Sequence, residues 1–198
     1  NLIGKMLTDK PVKQSDVTVT RFPIVVPMPI SASSFSGEVI ISNYLTSTGS
    51  KVYEPASLDL RDQITAKISN GRIDKFEGNT QDVKNVNKHY DKIAKLFTLD
   101  KNVVHSWHAG IHSGIRYNCK VKDNPDRWAN TIFPSPNYLH FHTCGDYAPG
   151  EICWMIKSPT IKIDGIPLWE NAEVKVANFE ATSNIIEKWP DLQRIYCS

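Results

Sequence analysis

A chain of 198 residues, 40% hydrophobic and 22% charged, is long enough to bury a real core, which excludes the fibrous and disordered classes. Its formal charge is only +2, and its Lys and Arg are scattered rather than striped, so nucleic acid is not an expected partner. The longest apolar run, residues 22–30, is broken by Pro23, Pro27 and Pro29 and falls well short of the roughly 20 residues that a membrane helix needs, so no membrane partner is expected either.

In chain order, "VTVTRFPIVVPMPI" is β-branched and punctuated by proline, which predicts an edge strand or extended arm over residues 1–27, ahead of a folded region from 28 to 198. "GEVIISNYL" predicts a strand through Val39, Ile40 and Ile41. Two alternating stretches, Ile64, Ala66, Ile68 and then Ile73, Phe76, meet at Asn70-Gly71, a strong short-range signal for a hairpin. From Thr80 to Phe97 the period lengthens: Val83, Val86, Tyr90, Ile93, Ala94 and Phe97 recur at three- and four-residue steps, which predicts one long amphipathic helix. His89 falls on the polar side of that helix, and His105 stands at the entrance to the next loop, so both are expected at the surface.

Beyond the helix, strands are predicted over residues 138–143 and 152–156. "PTIKIDGIPLWENAEVKV" adds a strand, a tight turn at Asp164-Gly165 and a closing strand. "SNIIEKWPDLQRIY" predicts a short C-terminal helix, N-capped by Ser183 and interrupted at Pro190. Strands dominate and helices are few, so the expected class is α+β: a mixed, strand-rich single domain. The four cysteines, Cys119, Cys144, Cys153 and Cys197, form no CxxC pair and are too few for a disulfide scaffold, so reduced thiols and a cytoplasmic location are expected. The chain opens on Asn1 without a signal-like stretch, which fits a processed terminus or the C-terminal part of a longer protein.

The chemistry sits in two histidine clusters. In "LHFH", His140 and His142 are two apart, so on a strand both imidazoles project from one face, opposite Leu139, Phe141 and Thr143. In "HAGIH", His108 and His112 are four apart, the spacing of one helix face, but Gly110 and Gly114 argue for a loop crossing the site. Imidazole nitrogen combined with carboxylate oxygen suits a divalent transition metal, whether Zn, Fe(II), Mn or Co, and Asp146 and Glu151 lie close by in sequence. Glu151 is a candidate general base, Tyr147 a candidate donor to a reacting oxygen, and Arg116 a candidate clamp for a substrate carboxylate. Each has a structural alternative: a core histidine, a packing tyrosine, a surface charge. A nucleophilic Cys144 or Cys153 near His142 is a further alternative. No GxSxG, P-loop or GxGxxG motif is present.

The order "SGEVIIS", "ISNGRIDKFEG", amphipathic helix, "HAGIHSGIRYN", His-bearing strand and "PTIKIDGIPLWENAEV" resembles the catalytic part of the metalloaminopeptidases of the aminopeptidase T type, a module shared with the dihydroxypyridine ring-cleaving dioxygenases. The resemblance spans about residues 28–176. It implies that Glu38 is a metal ligand, that the place of a second carboxylate ligand is taken by the segment from His108 to His112, and that His140 or His142 supplies the strand ligand. It departs where the family carries a His-x-Asp pair, since this chain reads "EICWMI" there. The resemblance leads to a metal-dependent hydrolase acting on short peptides. The alternatives are a non-haem iron(II) ring-cleaving dioxygenase acting on a small molecule, and a binding module that has lost its site. A homodimer is among the assemblies expected.

Overall fold

The computed structural model of the chain describes residues 28–47, 53–115, 123–124, 128 and 132–197. The expected arm over residues 1–27 lies outside them. Among the described residues, no helix is long and apolar enough to cross a membrane.

Strands β1 (Ile30–Ser31), β2 (Gly37–Ile41), β3 (Tyr44–Thr46), β4 (Ser57–Asp59), β5 (Ile64–Ser69) and β6 (Arg72–Gly78) precede helix α1 (Thr80–Phe97). After it come β7 (Val104–Ala109), β8 (Tyr138–Cys144), β9 (Glu151–Lys157), β10 (Ile161–Ile163), β11 (Ile166–Glu170) and β12 (Glu173–Val174). A 3₁₀ turn (Val176–Asn178) and helices α2 (Glu180–Ile186) and α3 (Pro190–Tyr196) close the chain. The strands form a six-stranded sheet in the order β1-β7-β8-β9-β3-β4 and two three-stranded sheets, β2-β5-β6 and β10-β11-β12. The fold is α+β, as the alternation of patterns predicts.

The hairpin forms where the sequence places it. Asn70 and Gly71 both take positive φ, 49° and 69°, the pair of values that a tight two-residue turn between twisted strands requires. Gly71 also passes so close to the Ala32 backbone that a Cβ there would lie 2.7 Å from its carbonyl oxygen. The alternation of β5 then becomes burial: Ile64, Ala66 and Ile68 point into the core while Thr65 and Lys67 stay partly exposed.

Helix α1 is capped by Asn79, whose side chain accepts from the Gln81 and Asp82 N–H groups, and it ends at Thr98 in the left-handed conformation. Its buried stripe, Val86, Tyr90 and Ile93, packs with the β2-β5-β6 sheet against one face of the six-stranded sheet, where Phe141, Ile152 and Trp154 lie. A hydrogen-bond chain stitches this layer: Trp154 Nε1–H donates to Tyr90 Oη at 2.6 Å, and Thr143 Oγ1 donates to the Ile152 carbonyl at 2.6 Å. The 2.5 Å contact between Tyr90 Oη and Thr143 Oγ1 is therefore donated by the tyrosine.

Two expectations need correction. His89 is not on a solvated face but 5% exposed, because Tyr53 covers that side of α1 with its ring edge-on at a centroid distance of 5.6 Å. Ser183 does not cap a helix. It lies inside α2 with its hydroxyl donating to the Glu180 carbonyl, and Pro190 opens a separate helix instead of interrupting one, since a proline at the first helical position loses no hydrogen bond.

Candidate functional site

Three antiparallel strands carry the histidines. His108 on β7 is directly opposite His140 on β8, Ser106 is opposite His142, and on the other side of β8 His140 and His142 are opposite Met155 and Cys153 of β9. Residues opposite one another project from the same face, and so do residues two apart on one strand. His108, His140, His142 and Glu151 are thus gathered on the sheet face turned away from α1. The sequence reading of "HAGIH" as a loop is corrected for its first part: His108 belongs to a strand that ends at Ala109, and the loop begins at Gly110.

The face is buried on both sides of the pleat, which alternation alone does not predict. Phe141 and Thr143 enter the α1 layer, while the imidazole side is roofed by a second cluster built on Trp128, Ile132, Cys153 and Met155 with Phe133 against it. Phe133 meets His140 edge-to-face at a centroid distance of 4.5 Å. Gly110 permits this roof: a Cβ at that position would overlap the Pro134 carbonyl, and the next residues along, His112 and Pro134, are joined by a backbone hydrogen bond of 2.9 Å.

His142 Nε2 faces His108 Nε2 at 3.0 Å, and His142 Nδ1 is bonded to the Glu151 carboxylate. His140 is fully buried beside His108, ring centroids 5.1 Å apart, and neither of its ring nitrogens has a hydrogen-bond partner among the described residues. Burial holds its protonation well below the usual histidine range, with His108 and His142 adding to the effect, so His140 is neutral. Tyr147, largely exposed in the β8–β9 loop, sets its ring 6.3 Å from that of His142, and Ser106 Oγ donates to Asp146 in the same loop at 3.5 Å.

The donor chemistry of this cluster fits a transition metal. Metals bind neutral imidazole, and with metal–nitrogen bonds of about 2.0–2.1 Å two nitrogens at right angles on one ion lie about 3 Å apart. The His108–His142 separation is close to that value, but as the side chains stand it is an ordinary hydrogen bond between the two rings, whose place a metal would have to take. A carboxylate behind a histidine ligand is the usual supporting arrangement. His140, a buried imidazole with no hydrogen-bond partner among the described residues, is a further donor on the same face. Among the described residues, no three His, Cys, Asp or Glu side chains converge on one metal position as the side chains stand.

The remaining candidates are placed elsewhere. Glu38 is exposed on β2, in another sheet, and pairs with Lys67; its outward position follows from Val39 and Ile41 taking the core face of that strand. His112 has left the sheet, and its Nδ1 accepts from the Gly114 N–H at 3.2 Å. Arg116 lies outside the described residues. His105, expected at the surface, is half-buried on β7 and donates from Nε2 to the Cys144 carbonyl at 3.0 Å. Burial pushes the Cys144 thiol up to about 11 and Cys153 well above its ordinary value, which disfavours a thiolate at either position and speaks against the nucleophilic-thiol alternative. The sequence reading missed Phe133, Trp128 and the pairing of Glu151 with His142. The β-branched "VVHSW" was the available signal that His108 belongs to a strand.

No family model matches the chain, and no curated protein matches it in sequence. Among solved structures, it is similar to 2,5-dihydroxypyridine dioxygenase from Pseudomonas putida KT2440, at 12% identity and a TM-score of 0.51. The match covers 73% of this chain and 41% of that one, so the chain spans less than half the length of the protein it resembles. At this identity the likeness is one of fold, and it lies on the dioxygenase side of the resemblance read from the sequence.

Proposed function

We propose that this chain carries the metal site of a non-haem ring-cleaving dioxygenase acting on a small hydroxylated aromatic molecule. The single observation that carries the reading is the facing pair of a half-buried His108 and a buried His142 on the middle strands of a fold shared with such an enzyme. His108 and His142 would hold the metal, with His140 as the adjacent neutral donor. A bound iron(II) would supply the redox chemistry that allows dioxygen to be used.

The chain's own residues do the rest. Phe133, backed by Trp128, keeps water from His140, which is fully buried beneath it. Tyr147 offers an exposed ring beside His142 against which a flat substrate can stack. The hydrolase reading is the weaker one, because Glu151, its intended base, is fully buried and bonded to His142.

The test is oxygen consumption. Protein loaded anaerobically with iron(II) and given 2,5-dihydroxypyridine should consume oxygen as the ring absorbance disappears, and His142→Ala should do neither. Loaded protein that consumes no oxygen with hydroxypyridines or catechols, or that instead releases amino acids from short peptides, would overturn the reading.

A further inference from the structure

We infer that Glu151 is a positioning residue that fixes the tautomer of His142, holding the proton on Nδ1 so that a bare Nε2 is aimed at His108. Glu151 opens β9 opposite Cys144, two residues past His142 on the neighbouring strand, which places its carboxylate diagonally across from the imidazole. The side chain is fully buried, and its own backbone carbonyl accepts from Tyr53 Oη at 2.6 Å, so the strand end that carries it is anchored. A carboxylate is an acceptor when ionised, and the ring nitrogen it touches must then be the protonated one.

The consequence passes along the row. A neutral imidazole has one N–H, so His142 Nε2 is left with a lone pair, and the 3.0 Å contact to His108 Nε2 needs a donor from the other side. His108 supplies it as the Nε2–H tautomer. The row Glu151, His142, His108 is thus polarised in one direction, with the lone pair of His142 facing the point where an ion would sit. Were a metal held there, the bare Nε2 of His142 would be offered to it; this last point rests on the metal reading above, whereas the tautomer of His142 does not.

Long-range ¹⁵N–¹H correlation spectra of the uniformly labelled, metal-free chain read the tautomer directly, because a protonated ring nitrogen resonates far from a bare one. His142 should show a protonated Nδ1 and a bare Nε2. Glu151→Gln, whose amide oxygen can accept the same proton, should keep that pattern, and Glu151→Leu should lose it. A wild-type His142 protonated at Nε2, or the same Nδ1–H pattern in Glu151→Leu, would overturn the inference, and the wild-type spectrum decides even if the leucine variant fails to fold. In the metal arm, Glu151→Leu should weaken zinc or iron(II) affinity about ten- to hundred-fold with Glu151→Gln closer to wild type. Unchanged affinity in both variants would count against positioning. Failure of the wild type to bind metal would sink the metal reading while the spectra still decide the tautomer.

Discussion

Nε2 of His142 faces Nε2 of His108 across 3.0 Å from adjacent antiparallel strands, at positions offset by two residues in the register. The pair exists because the strand period puts His108, His140 and His142 on one side of the sheet, a side that is roofed over His140 and His142 and opens towards His108. Two imidazoles exposed to water gain little from facing one another. Here the two rings satisfy one another, and it is His140, buried beside them with no hydrogen-bond partner among the described residues, whose nitrogens cost stability as they stand.

The roof depends on Gly110. A methyl group there would overlap the Pro134 carbonyl, so Gly110→Ala must push the segment carrying Phe133 away from His140. Loss of about 1–3 kcal/mol is expected, the usual cost of overpacking, with water admitted to the histidine face. Urea denaturation monitored by circular dichroism checks this, and an unchanged midpoint would contradict it.

Tyr90 is the hub of the buried chain between Trp154 and Thr143. Tyr90→Phe keeps the ring but strands the Trp154 Nε1–H, which is expected to cost about 1–3 kcal/mol with an unchanged denaturant slope. Metal uptake should be unaffected, because the chain lies on the opposite face of the sheet. Reduced metal uptake in this variant would contradict the separation of the two faces.

His89 makes stability depend on pH. Burial lowers its folded-state value to about 4 from an ordinary 6.5, with Lys92 adding to the effect, so the unfolded chain binds a proton that the folded chain refuses. This contribution is complete above about pH 6.5 and is lost as the pH falls towards 4, with a limiting slope of about 1.4 kcal/mol per pH unit. Replacing His89 by Leu should flatten that part of the curve. The check is chemical denaturation from pH 4 to 8, where an unaltered slope in the variant would assign the dependence to other groups.

Glu38 tests how far the family likeness extends. Its carboxylate is exposed and paired with Lys67 in the β2-β5-β6 sheet, so Glu38→Ala should leave metal stoichiometry intact and change stability by less than about 1 kcal/mol. Loss of the metal in that variant would restore Glu38 as a ligand.

Periodicity made most of the scaffold legible. The six-residue run from Ile64, the Asn70-Gly71 turn and the eighteen residues of α1 follow from local periodicity, and each forms where the sequence places it, with one register shift between Lys67 and Ile68 in the hairpin. The "LHFH" strand was equally plain, including which face bears the imidazoles. What local pattern could not supply were contacts set by tertiary packing. His89 reads as polar on a helical wheel, and only Tyr53, 36 positions earlier, buries it. Gly110 reads as a flexible loop residue, whereas it serves a close backbone approach that depends on Pro134. Glu151 reads as a reactive carboxylate until the register of β8 on β9 sets it against His142. Glu38 was placed at the site by the family likeness, not by the strand pattern, which already allowed an outward charge.

The measurement that tests the account most directly is metal stoichiometry in the wild type and in single alanine variants of the facing pair. After anaerobic incubation with iron(II), and separately with zinc, followed by removal of free ion, the wild type should retain one metal per chain and gain thermal stability. His108→Ala and His142→Ala should each retain none and gain nothing. Full stoichiometry in both variants, or no retained metal in the wild type, would contradict the assignment of the His108–His142 pair as a metal site.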